Sequence, residues 1–411
     1  MSLSETAISA KPASFESPGR IPKTIGYFAA FIGLGMTDSV LGATLLGLVE
    51  NTGTDLSEIS RIFSARALGY LLGALLVGRL YDRLPGHPVM AGVLLVMVLT
   101  LALTPVMSLL WLLMIILLVL GMAQSTLDVG GNTLLVWVHR AKVGPYMNGL
   151  HFFWGAGAAL SPVIVKQVVS ISGDITWAYW FLALLIAPVA IWVFVLPSPV
   201  AQTASEDSPT GRVNFLLVAL ISLFFFLFVA AEISFGGWIL TYAVKMDLAS
   251  QTAVSFLTSA FYLNSAYWGA LTVGRLVAIP LAIRFRPRTI LTADLVGCLL
   301  SVTLILLWPD SLTALWIGSI GAGFSLASIF PTMISLAARH LAVTGQVTSW
   351  FIVGASLGSM IVPWLIGQFF ESVGPQVMML TILITLVLAL GVFGILMYAL
   401  NSVEQRKQAA G

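Results

Sequence analysis

Three carboxylates stand in the middle of long apolar runs: Asp38, Asp128 and Glu232. An acid at the centre of a membrane helix costs about 2.5–3.5 kcal/mol on insertion scales. A chain that keeps three of them has a use for them. A carboxylate takes up a proton, helps to ligate Na⁺ or accepts hydrogen bonds from hydroxyls. Its structural use is an ion pair or a helix-to-helix hydrogen bond. Gln124, Asp128 and Asn132 step by four and so share one helix face. A stripe of amide, carboxylate and amide suits a polyol, because each group meets a hydroxyl as donor or acceptor. His151 and Trp154 lie three apart on another face. Histidine titrates near neutrality, so His151 suits either a bond to a hydroxyl or proton transfer to Asp128. Aromatic rings offer apolar faces with polar handles. They pair with amides or with a second aromatic at four-residue spacing in Trp238 with Tyr242, Asn264 with Trp268 and Gln346 with Trp350. The candidate binding set is therefore Gln124, Asp128, Asn132, His151, Trp154, Glu232, Trp238, Asn264, Trp268 and Gln346. Asp38, Asp128 and Glu232 are the candidate cation-coupling groups.

The elements that position these residues follow from composition. Hydrophobic residues make up 59% of the 411 and charged residues 9%. A soluble domain has about 25% charged residues, so most of this surface must face lipid. Twelve apolar spans are predicted, at about 25–48, 58–80, 88–107, 109–136, 145–170, 175–196, 213–243, 251–283, 289–308, 311–337, 344–369 and 376–400. The octapeptide GALLVGRL at Gly73–Leu80 returns as GALTVGRL at Gly269–Leu276. A repeat half a chain apart predicts two related halves, as in many secondary transporters. The fold class expected is an all-α polytopic membrane protein, with 12 transmembrane helices in two pseudo-symmetric six-helix halves. A cytoplasmic tail (1–24), an N-terminal half (25–196), a linker rich in Pro, Ser and Thr (197–212), a C-terminal half (213–400) and a tail (401–411) complete the division. With both termini cytoplasmic, 14 of the 19 Lys and Arg residues fall in the inner segments. The outer loops carry acids such as Asp55, Glu58, Asp174 and Glu371. A multi-pass cell (inner) membrane protein follows, with the bilayer and a small-molecule substrate as partners. The net charge of +2 gives no case for nucleic acid. One two-fold-related pair of halves suffices for transport, so a monomer is expected to function. Cys298 is the only cysteine and reads as a small core residue.

GRLYDRLPGHP at Gly78–Pro88 resembles the signature loop between helices 2 and 3 of the major facilitator superfamily. Gly78, Asp82, Arg83 and Gly86 carry the match. Other stretches resemble its sodium-dependent glucose transporter and fucose permease branch: DVGGN at Asp128–Asn132, LHFFWGAGAALSP at Leu150–Pro162, EISFGGWILTYAV at Glu232–Val244 and WGALTVGRLVAIPLA at Trp268–Ala282. IFPTMISL at Ile329–Leu336 and the run Val343–Pro363 agree. The resemblance implies a central cavity lined by spans 1, 4, 7 and 10, and sugar uptake coupled to H⁺ or Na⁺. It also implies a gating role for Arg79, Asp82 and Arg83, mirrored by Arg275 in the second half. The chain has no P-loop and no HExxH or GxSxG motif. No enzyme activity, catalytic residue, metal site or cofactor is expected beyond the coupling ion. Two other readings keep a place: proton-coupled export of drugs or amphipathic lipids, and a nutrient receptor that binds without transport.

Overall fold

The computed structural model describes residues 19–199, 215–253, 255–256, 258–341 and 345–409. Within them lie fourteen α-helices: α1 (Arg20–Thr52), α2 (Leu56–Ile59), α3 (Arg61–Arg83), α4 (Gly86–Leu103), α5 (Leu110–His139), α6 (Gly144–Ser172) and α7 (Ile175–Val195), then α8 (Phe215–Lys245), α9 (Ala260–Arg284), α10 (Pro287–Leu307), α11 (Leu312–Leu326), α12 (Ile329–His340), α13 (Gly345–Val373) and α14 (Val377–Ala409). They make twelve stretches long and apolar enough to cross a bilayer. The second is α2 with α3 and the tenth is α11 with α12.

Two spans differ from the sequence reading. The eighth span begins at Ala260, nine residues later than expected, because Ser250 bonds Thr252 and pairs with Ser259 in a polar turn. The tenth span is broken at Ala327 and Ser328. Pro331 has no N–H to give the carbonyl four residues back, which weakens the helix at that point. At the break the Ser328 hydroxyl donates to Asp294 on α10. Two of the acids expected in outer loops are helix caps: Asp55 accepts from the Glu58 N–H and Asp174 from the Thr176 N–H.

Within each half, helices touch backbone to backbone at glycine. A Cβ on Gly35 would lie 1.8 Å from the Trp154 carbonyl oxygen, so α1 and α6 leave room for none. Gly69 faces the Leu118 carbonyl, joining α3 to α5; Gly358 faces that of Phe226, joining α13 to α8; and Gly323 faces that of Tyr267, joining α11 to α9. Spans 1 and 5 therefore pair as spans 7 and 11 do, and spans 2 and 4 pair as 8 and 10 do. This is the half-chain repeat expressed as packing. Large apolar side chains on α7, α10 and α14, such as Leu184, Leu300 and Ile395, are exposed and face the lipid.

The halves meet at mid-bundle and at one end. Gly42 on α1 packs against Gly236 and Gly237 on α8, and Gly155 on α6 against Thr272 on α9. At the end holding α2, Ser57 and Ser60 bond Gln368 on α13, and Ser64 bonds the Met360 carbonyl. Lys166 donates to the Gln251 carbonyl and Gln167 to the Tyr262 hydroxyl at the same end. At the opposite end, a cleft of about 610 Å³ separates Gly144–Phe152 on α6 from Leu276 and Ile279 on α9.

Candidate functional site

The site is built where α1, α3, α5 and α6 meet α8 and α9. Close approach at Gly69 and Gly121 puts two four-residue ladders opposite one another: Arg66 and Tyr70 on α3, Gln124 and Asp128 on α5. The Arg66 guanidinium donates to Asp38 Oδ1 at 2.9 Å and to Gln124 Oε1 at 3.3 Å. The Trp154 indole N–H donates to Asp38 Oδ2 at 2.7 Å. Gln124 then donates to the Thr37 hydroxyl at 3.0 Å. The Tyr70 hydroxyl donates to Asp128 Oδ2 at 2.5 Å, and the Asn132 amide donates to Oδ1 at 2.9 Å.

The second half brings Glu232 and Arg275. Their charged atoms are 3.8 Å apart. The Arg275 guanidinium also lies 4.5 Å from the centre of the Trp154 ring, a cation–π contact that bridges the halves. Trp154 in turn meets Trp268 edge-on at 5.9 Å. The three carboxylates thus share one cluster with two guanidiniums. The side chains of Arg66, Asp38, Arg275 and Glu232 stay 11–23% exposed and Asp128 is half-buried, although all lie within membrane-length helices. The cluster offers hydrogen-bond donors and acceptors beside two indoles.

Most of the predicted residues gather here. Asp38, Asp128, Asn132, His151 and Trp154 are half-buried, and His151 stands edge-on to Phe31 at 6.1 Å. Gln124 is fully buried behind them and Glu232 is nearly so. Trp268 is buried where the halves touch, its ring against Gly236.

Three expectations need correction. Trp238 is 0% exposed, donates its N–H to the Pro363 carbonyl and stacks on Phe370, so it is a packing residue. Asn264 is also buried and donates to the Gly236 carbonyl, fastening α9 to α8. Arg275, expected only in a gating role, lies nine residues before the end of α9, about 14 Å at 1.5 Å per residue, beside Glu232 and Trp154. Arg83 is exposed at the end of α3, whereas the side chains of Arg79, Asp82 and Gln346 lie outside the described residues.

Arg66 and Tyr70 were missing from the candidates. A search for mid-span acids passes over Arg66, yet a mid-span arginine carries the same insertion cost. Its i, i+4 spacing to Tyr70 repeats that of Gln124 to Asp128. Asp294, also missed, serves the break in the tenth span.

A polar, charge-bearing cluster between two repeat-related six-helix halves is the layout of a secondary transporter. The Major Facilitator Superfamily profile matches residues 24–261, more than half of the sequence, and the chain belongs to that superfamily. It is 29% identical over 401 residues to sodium-dependent glucose transporter 1 of Xenopus laevis, covering 90% of this chain and 80% of that one. It is 29% identical over 379 residues to sodium-dependent glucose transporter 1A of Mus musculus, covering 83% and 88%. Among solved structures it is similar to the nucleoside transporter NupG, with a TM-score of 0.69 at 15% identity, covering 92% of this chain and 98% of that one. At that identity the likeness speaks for the fold alone.

Proposed function

We propose that this transporter moves a monosaccharide across the cell membrane in symport with a cation. One observation carries the reading: Asp38, Asp128 and Asn132 stand half-buried at mid-bundle with Trp154 and His151, and Trp154 meets Arg275, the partner of Glu232, from the other half. Carboxylate and amide groups meet the hydroxyls of a sugar, and the Trp154 indole meets its C–H face. Gln124 and Trp268 back this surface from behind. The names of the relatives agree with a hexose. The carboxylates bind the cation, and neutralising them favours the loaded state in which the halves rock.

The excess of Lys and Arg in alternate loops supports an orientation with both termini inside. The clasped end with α2 is then the outer one, and the cleft between α6 and α9 opens inward. Most of the linker expected at 197–212 lies outside the described residues. Export of amphipathic drugs fits less well, since the apolar lining of Phe152, Leu276 and Ile279 belongs to the cleft and not to the centre. Counterflow of labelled hexoses in proteoliposomes tests the proposal. Saturable exchange of at least one hexose is expected, and none for any hexose would defeat it.

A further inference from the structure

Asp294 is a further carboxylate inside a span, and the central cluster does not use it. It is half-buried on α10, seven residues from the start of that helix at Pro287, or about 10 Å along it. An acid at such depth is costly unless something answers its charge. Asp38 and Glu232 have arginines, whereas Asp294 has no cationic partner among the described residues. Its hydrogen bond comes from the Ser328 hydroxyl. A neutral hydroxyl orients a carboxylate but leaves the charge standing. Nor does α12 answer it: among the described residues, no backbone N–H of that helix donates to the carboxylate.

The acid stands where the tenth span is interrupted, and the interruption frees oxygen. Pro331 offers no N–H to the Ala327 carbonyl, which therefore lacks its helical partner. α11 ends at the same place, so its last carbonyls bring the negative end of a helix to the break. The Ser325 hydroxyl makes no hydrogen bond among the described residues. It rests on α10 at Gly297, three residues along from Asp294, where a Cβ would strike it. Ser328 Oγ keeps its lone pairs while it donates, and each carboxylate oxygen accepts more than one bond.

These groups are carboxylate, hydroxyl and carbonyl, an all-oxygen set of the kind that holds a hard cation. One carboxylate balances one positive charge, which selects a monovalent ion over Ca²⁺ or Mg²⁺. A carboxylate is also a concentrated charge and favours the smaller of the common monovalent ions. Broken helices with freed carbonyls serve this purpose in membrane transporters. We propose that the break in the tenth span is a sodium site, formed by Asp294, Ser325, Ser328 and the Ala327 carbonyl and separate from the central carboxylates. It goes beyond the sugar symport proposed above and does not depend on it. Water from the inner side completes the coordination. The bound ion ties α10 to both parts of the tenth span and fixes the angle between α11 and α12.

Cys298 reports on this site. It is the only cysteine of the chain, is fully buried, and lies one turn beyond Asp294 on α10. A maleimide reaches it only when this region opens locally. The purified full chain is labelled in NaCl, KCl or choline chloride at equal ionic strength, and the modified fraction is followed by mass. Sodium at about ten times its dissociation constant is expected to slow labelling about tenfold, by mass action. Potassium and choline are expected to leave the rate unchanged. Asp294→Asn should abolish the protection. Pro331→Ala, which returns an N–H to the Ala327 carbonyl, and Ser325→Ala should raise the sodium concentration needed for half-protection. Ser325→Ala also carries the test if Asp294→Asn does not fold, because that hydroxyl holds nothing else in place. Equal labelling rates in the three salts overturn the proposal, as does equal protection by potassium. Sodium protection that survives in folded Asp294→Asn also overturns it. Protection that follows pH and ignores sodium would make Asp294 a protonated acid and overturn it too. The measurement needs no sugar, so its outcome and that of hexose counterflow are read separately.

Discussion

Replacing Gln368 with alanine cuts the polar clasp that holds the halves together at one end. The Gln368 amide accepts from the Ser57 hydroxyl at 3.0 Å and donates to the Ser57 carbonyl at 2.9 Å and to the Ser60 hydroxyl at 3.2 Å. A hydrogen bond within a protein contributes about 0.5–1.5 kcal/mol net. The serines on α2 regain water when this end opens, so the lower part of the range applies to each. Three such bonds then give about 2 kcal/mol, or a shift of about 30-fold towards the state open at the α2 end. The bonds from Ser64 to Met360 and from Lys166 to Gln251 remain, so the clasped state persists as a minor or equal population. Spin labels at Glu50→Cys and Ser372→Cys, on the exposed ends of α1 and α13, read the separation in a Cys298→Ser background. Gln368→Ala is expected to add a second, longer distance to the distribution. An unchanged distribution in a folded variant would refute the reasoning: the α2–α13 contact would then hold no conformational free energy and would not be a gate.

Further outcomes follow from the site itself. Arg66→Met leaves the Asp38 carboxylate with Trp154 alone and is expected to cost about 3–5 kcal/mol, as for other broken buried pairs. Thermal unfolding should show a lowered midpoint that adding Asp38→Asn partly restores, and an unchanged midpoint would contradict the pair. Gly35→Ala drives a methyl into the Trp154 carbonyl and should destabilise by about 1–3 kcal/mol. Gly33→Ala meets only the Ile186 side chain and serves as the milder control in the same assay. Trp154→Phe keeps a ring beneath Arg275 but removes the N–H on Asp38. The loss of this bond should destabilise by about 1.5–3 kcal/mol, the worth of one hydrogen bond to a charged group, and lower the unfolding midpoint. An unaltered midpoint would show that the Trp154 N–H does not hold Asp38.

The fold was largely legible because lipid imposes a blunt rule. A span needs about 20 apolar residues, and the half-chain repeat at Gly73 and Gly269 announces the two halves. The centre of the site was legible for the same reason, since an acid among leucines stands out, as Asp38 and Asp128 do. What the sequence could not supply was direction around a helix. Asn264 has the four-residue spacing of Asn132, and Trp238 sits within a span as Trp154 does, but both point into helix contacts, and only packing distinguishes the two cases. Arg275 resembles a loop arginine through its repeat partner Arg79, until the length of α9 carries it inward. Arg66 and Tyr70 become meaningful only when the crossing at Gly69 and Gly121 sets α3 against α5. The break at Ser328 depends on Pro331 and on Asp294 from another helix, a pairing with no signature along the chain.

Transport as proposed depends on carboxylates that stand together between the halves and link ion to solute. Asp128→Asn, isosteric but unable to carry charge, tests that link most directly when accumulation and counterflow of a labelled hexose are measured on the same proteoliposomes. Gradient-driven accumulation should vanish while saturable counterflow remains. Accumulation at the parental level in this variant would contradict the account.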